Sequence, residues 1–445
     1  MTAPSRRAAG RRVLVVTGDT LRPKMAGPAI RAFEIAKALA GEHEVVLAST
    51  VLCELSHPGF RVTHAAGRTL RRLEQWCDIV VLQGAVMREN PWMYRSSKVI
   101  VVDVYDPFHL EQLEQSKGSP DDVRRHLVRQ ATVTLNEQLH RGDFFMCASE
   151  RQRSFWLGQL AAVGRVNPAT YDQGRGDLER LLRVVPFGVG GRPPEHARTV
   201  LKGVVPGIGP DDKVILWGGG IYNWLDPLTL VHAVDRLRVQ VPEVRLFFLG
   251  MRHPNPDVPA MQMAVQTREL SERLGLTGTH VFFNEDWVDY DERGSYLLES
   301  DVGVSTHFDH IETEFSFRTR ILDYFWASLP VVATSGDALA DVLDRSGAGT
   351  TVPAGDVDAL ASALGRMLVD DTARARARAA SVRLADEFRW ENVLAPLLAF
   401  CRDAQRAADA PPDPWPGVPD RRSWRRAVGA VRAGALRAVR SLSRS

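Results

Sequence analysis

Apolar residues in this chain fall into short unbroken runs, separated by longer stretches in which they recur every third or fourth position. VLVVTG (Val13–Gly18), HEVVLAST (His43–Thr50), CDIVVLQG (Cys77–Gly84), KVIVVDVYD (Lys98–Asp106) and DFFMCAS (Asp143–Ser149) are runs of the first kind. Continuous rather than alternating apolar character predicts strands buried on both faces, as in a parallel sheet. IRAFEIAKALAGE, the polar stretch 111–141 and ERQRSFWLGQLAAVG read as helices between them. Strand and helix therefore alternate, and the crossovers make a Rossmann-like unit. LLRVVPFGVGGRPPE (Leu181–Glu195) is a last strand running into a Gly/Pro-rich linker. A second alternation starts at Lys213 with VILWGGG, a helix opened by Asp226 and Pro227, and VRLFFLG. Asp before Pro suits a helix start, as N-cap and first helical residue.

The predicted fold is α/β, with two Rossmann-like domains, 1–190 and 191–404, facing across a cleft, and a Pro-rich linker with a basic helical tail over 405–445. Ligands in such sheets gather beyond the carboxyl ends of the strands. Gly27 and Pro28 precede a predicted helix after the first strand, so its N–H groups suit a phosphate. The triple glycine Gly218–Gly220 ends a strand and lets a ligand approach the backbone, with Gly219 at its centre. Asp103, Asp106 and His109 cluster at another strand end. For His109 the alternatives are contact with a substrate hydroxyl and packing on the next helix.

The stretch from Asp301 to Gly336 concentrates charge. A short strand leads into a loop with Asp309, His310, Glu312 and Glu314, a helix is predicted from near Ser316, and a strand returns at Val331. Arg318 and Arg320 then fall in a first helical turn, where the dipole disfavours cations. Asp323 is placed within reach of Arg320 and Thr319. Either an anion such as phosphate docks beside the arginines, or the neighbouring acids neutralise them on a solvated surface.

Composition adds limits. Of 445 residues, 44% are hydrophobic and 25% charged, an ordinary globular balance. The net charge of +2 hides a tail, 420–445, with eight arginines and one acid, Asp420. The remainder is slightly acidic, so nucleic acid is not an expected partner. The four cysteines are scattered without metal-ligand spacing, which favours a cytoplasmic setting and no bound metal. No apolar window of about 18 residues predicts a membrane span. Trp424, Val428, Val431, Ala435, Val439 and Leu442 repeat at helical spacing among arginines. The region 421–445 is thus either an amphipathic helix for an anionic membrane surface or a free basic tail.

From Val13 to Ala404 the order of motifs resembles the retaining nucleotide-sugar glycosyltransferases of group one, family four, which have the GT-B fold. VLVVTGDTLRPKMAGPAIRAFEIAKALA, VVPFGV, VILWGGG, LFFLG, ESDVGVSTHF and above all LDYFWASLPVVAT carry the likeness. It implies transfer of a sugar from a nucleoside diphosphate donor to a glycan or glycolipid acceptor, with retained anomeric configuration and no further cofactor. It implies Asp323 at the ribose, Glu314 near the sugar with Glu312 as rival, His109 beside the donor sugar, Gly27 at the diphosphate and Val288 at the base. The family's diphosphate-binding arginine and lysine are missing from GGGIYNWLDP. Arg318, Arg320 or Arg252 is expected to replace them. The competing expectations are a non-catalytic nucleotide-sugar binder and a sugar epimerase of the same architecture.

Overall fold

A computed structural model describes residues 10–173, 176–258, 261–409 and Trp415. The amphipathic tail expected at 421–445 lies outside the described residues. Seven parallel strands form the first sheet: β1 (Arg12–Thr17), β2 (Glu44–Ser49), β3 (Arg61–His64), β4 (Ile79–Gln83), β5 (Val99–Asp103), β6 (Phe144–Cys147) and β7 (Leu182–Val184). Six parallel strands form the second: β8 (Lys213–Trp217), β9 (Val244–Phe248), β10 (Val281–Phe283), β11 (Val302–Ser305), β12 (Val331–Thr334) and β13 (Gly349–Val352). The first sheet runs β3-β2-β1-β4-β5-β6-β7 and the second β10-β9-β8-β11-β12-β13. Successive residues of β1, from Val13 to Val16, are all buried, because helices cover both faces of the sheet.

Strand order reverses between β1 and β4 in one sheet and between β8 and β11 in the other. At such a point neighbouring loops part to opposite faces and leave a crevice. The two crevices face each other. The lobes are joined across them by the indole N–H of Trp287, which donates to the Met25 carbonyl at 2.9 Å, and by the Tyr290 N–H, which donates to Pro23 at 2.9 Å. The Gln152 amide bridges the Tyr105 and Phe315 carbonyls, at 2.8 Å to each.

The end of the second domain differs from the sequence expectation. The expected boundary kept the chain in the second domain up to residue 404. Instead it crosses back at Arg389, which bridges to Val189, and the helix Trp390–Val393 packs on the helix Gly27–Leu39 of the first domain. Phe400 stacks on Phe144 of β6 with ring centroids 4.2 Å apart, and Arg402 pairs with Glu42. The apolar stripe of this segment marks it as packed, and no local signal says against which core.

Candidate functional site in the interdomain cleft

Tyr324 fixes the floor of the cleft. It belongs to the helix Arg320–Trp326, and its ring lies over β11 where Gly303 leaves room; a Cβ there would sit 2.5 Å from the ring. Its hydroxyl accepts from the Gly218 N–H at 2.8 Å and lies within 3.0 Å of the Leu216 and Val304 carbonyls. The motif LDYFWASLP thus holds the glycine loop after β8. Gly219 has φ +84, a conformation that suits glycine, and presents bare backbone to the cleft.

Arg320 stands against this loop. Its guanidinium lies over the Trp217 ring, 4.4 Å from the centroid, and one Nη donates to the Gly220 carbonyl at 2.9 Å. The other Nη is buried without a partner, and no acid pairs with Arg320 among the described residues. Burial pushes its pKa down to about 10, which leaves it charged at neutral pH. Arg318 is differently placed: both its Nη atoms bond Glu312, at 2.9 and 2.6 Å, in a buried fork.

These contacts revise the picture drawn from charge pattern. The helix is only seven residues long and begins at Arg320 rather than near Ser316. The Ile321 and Leu322 N–H groups already bond the Arg318 and Thr319 carbonyls. Side-chain charge, not a helix dipole, therefore makes this wall electropositive. Asp323 does not meet Arg320 but takes Arg293 at 3.2 Å, whose guanidinium is sandwiched by Tyr290 and Trp326.

The opposite wall is the start of the helix Gly27–Leu39, where Ala26 at the N-cap offers no side-chain cap. Gly27, Gly219, Val288, Arg320 and Asp323 line one cavity. Beside Val288, Trp287 packs on the backbone of Gly250, where a Cβ would sit 2.8 Å from the indole.

The remaining expected residues lie elsewhere. His109 packs between Phe155 and Trp156, with ring centroids 5.5 and 5.8 Å away, and burial pushes its pKa down to about 4. This is the packing alternative, set by the rotation of the helix Phe108–Gln115. Glu314 is exposed in an outer groove beside Arg151 and Phe155, whereas Glu312 turns inward because the intervening turn is helical. Arg252 is exposed and absent from the cleft lining, while its neighbour His253 faces inward.

Sequence reasoning missed the buried pair Arg31–Asp103, with contacts of 2.6 and 2.9 Å. Its signal was an arginine at the core position of a helix face otherwise made of Ala32, Ile35, Ala36 and Leu39. It also missed a carboxyl cluster in which Asp106 and Glu111 face Glu312 and Arg318 across the cleft. Burial, with the neighbouring Glu312 and Asp103, pushes Asp106 up to about 7.

Residues 212–370 match the family model for glycosyl transferases, group 1. Sucrose-phosphate synthase of Thermosynechococcus elongatus superimposes with a TM-score of 0.61 at 16% identity, over 88% of this chain and 99% of that one. The fold is GT-B. Anabaena HepE, solved in complex with UDP and glucose, gives a TM-score of 0.60 at 13% identity, over 88% of this chain and 100% of its own. In sequence, the D-inositol 3-phosphate glycosyltransferase of Xylanimonas cellulosilytica is 26% identical over 356 residues, 76% of this chain and 75% of that protein. The family match falls within the second domain, and the cleft described above is that domain's interdomain face. No helix among the described residues is long and apolar enough to cross a membrane.

Proposed function

We propose that this protein transfers a sugar from a nucleoside diphosphate sugar to a hydroxyl of a glycan or lipid-linked acceptor, with retention of anomeric configuration. The observation that carries the reading is Arg320, a half-buried arginine with one Nη buried and unpartnered, beside two glycine-rich backbones and with no acid pairing to it among the described residues. Burying an uncompensated charge is costly, and a diphosphate between Gly27 and Gly219 supplies the missing anion. Arg320 thereby takes the place of the arginine and lysine absent from GGGIYNWLDP. The names of the relatives, a glycosyltransferase and a structure holding UDP and glucose, support the same donor class.

In this reading Asp323, held by Arg293, accepts from the ribose, and the backbone at Trp287 and Val288 meets the base. Glu312, rather than the outward Glu314, faces the sugar, and Arg318 positions it. As the anomeric C–O bond to the diphosphate breaks, Arg320 stabilises the growing negative charge, a contribution worth several kcal/mol in comparable sites. The acceptor oxygen bonds the same face of that carbon, and its proton passes to the leaving phosphate oxygen. No protein nucleophile takes part.

Calorimetry with UDP, GDP and dTDP tests the donor side. Arg320→Ala should weaken the best of them by about ten- to a hundredfold, the range for lost charged hydrogen bonds. Undiminished affinity in both Arg320→Ala and Asp323→Ala would remove the site assignment. The missing cation pair also favours a second reading, a nucleotide-sugar binder without turnover. Release of free nucleotide from the donor separates the two.

A further inference from the structure

The first sheet has its own crevice, built from groups of the opposite character. β1 and β4 flank the reversal of strand order and end at Thr17 and Gln83, and the loops beyond them wall a cavity of about 240 Å³. Asp19, Gln83, Glu89, Asp103, Asp106 and His253 line it, and among the described residues no lysine or arginine does. Arg31 takes the charge of Asp103 from behind. Burial pushes the His253 imidazole down, opposed by the neighbouring Asp19 carboxylate.

Two buried oxygens in this lining have no hydrogen bond of good geometry. Gln83 is 5% exposed and spends its amide N–H groups on Thr17 Oγ1 at 2.9 Å and the Pro28 carbonyl at 2.6 Å, which leaves Oε1 without a partner. Asp19, also 5% exposed, accepts from the Thr20 N–H through Oδ1, and its Oδ2 has no such bond, although the Asn255 side chain and the Ala29 N–H approach the carboxylate. Buried acceptors left unpaired are rare and costly. Hydroxyl hydrogens satisfy them; a phosphate dianion would meet acids and no cation.

We infer that this cavity seats the acceptor, and that the acceptor there is an uncharged polyhydroxylated ring whose hydroxyls donate to Gln83 Oε1 and Asp19 Oδ2, with phosphomonoesters excluded. The acceptor role rests on the glycosyl-transfer reading, whereas the preference for a neutral polyol rests on the cavity itself. The chain would then differ from its relative named for D-inositol 3-phosphate.

Ligand-observed NMR on the full-length protein, with and without UDP, tests this with two matched pairs: myo-inositol against D-inositol 3-phosphate, and mannose against mannose 6-phosphate. The neutral member of at least one pair should bind about tenfold tighter or more, and Asp19→Asn should remove about tenfold of that affinity. Ala85→Arg, which places a cation on the cavity wall, should narrow the preference by admitting the phosphomonoester. Equal or tighter binding of the phosphomonoester, binding of neither member of either pair, or a preference untouched by Ala85→Arg overturns the inference. UDP affinity read in the same samples reports on the donor cleft separately, so failure of the donor reading and failure of the acceptor preference are distinguishable.

Discussion

Arg318 and Arg320 stand two residues apart and meet opposite surroundings. Around Arg318 the chain supplies its own anion, a two-pronged bond to buried Glu312. Around Arg320 it supplies an aromatic face and one carbonyl, and leaves one Nη buried without a partner. The difference teaches that charge pattern along a sequence gives the inventory of ions but not the pairing. The arginine that looks neutralised and the one that looks available have the same neighbours in sequence. Only the turn between the helices Ile311–Phe315 and Arg320–Trp326 decides which meets the acid.

The sharpest way to break the contrast is to remove each arginine in turn. Arg318→Leu leaves the Glu312 carboxylate buried with His310, 3.7 Å away, as its remaining partner, and should cost about 3–5 kcal/mol of stability in denaturant unfolding. The double variant Glu312→Leu/Arg318→Leu should recover most of that loss, since a buried pair contributes little net stability against apolar replacements. Arg320→Leu has no acid to strand, so unliganded stability should change by less than about 1 kcal/mol. A large loss there would mean that Arg320 is structural.

Asp323→Asn should weaken nucleoside diphosphate binding by about tenfold, through loss of one charged acceptor, with little effect on stability because its partner Arg293 keeps two aromatic faces. A slope rather than a step is expected in pH dependence. Asp106 is pushed up to about 7 by burial, with Glu312 and Asp103 adding to it. A carboxyl raised in the folded state binds its proton more tightly there, so this stabilisation is full below the ordinary aspartate range and is lost as pH rises through about 7. Asp106→Asn should flatten the fall in stability between pH 4 and 7 by less than about 1.4 kcal/mol per pH unit, one proton's worth. An unchanged slope would place Asp106 in a more solvated setting.

Much of the fold was legible because parallel strands buried on both faces leave continuous apolar runs, as in Val13–Val16 and Val99–Val102. Gly27, Gly219 and Arg320, each at a strand end or helix start, line one cavity, and Val288 and Asp323, expected from the resemblance, line it with them. Helix rotation was not legible: one apolar face contains His109, and the pattern does not say that Phe155 and Trp156 enclose it. Nor was the return of the chain at Arg389, because Trp390 and Phe400 suit either core. The pairing of Asp323 with Arg293 joins residues 30 apart through tertiary packing, beyond the reach of local spacing rules.

The central claim is that Arg320 holds the diphosphate. The direct measurement compares the affinity of the best-binding nucleoside diphosphate with that of its parent nucleoside, in the wild type and in Arg320→Leu. The account predicts that the wild type prefers the diphosphate by at least about tenfold and that the variant loses this preference while keeping its affinity for the nucleoside. A preference of undiminished size in Arg320→Leu would contradict it.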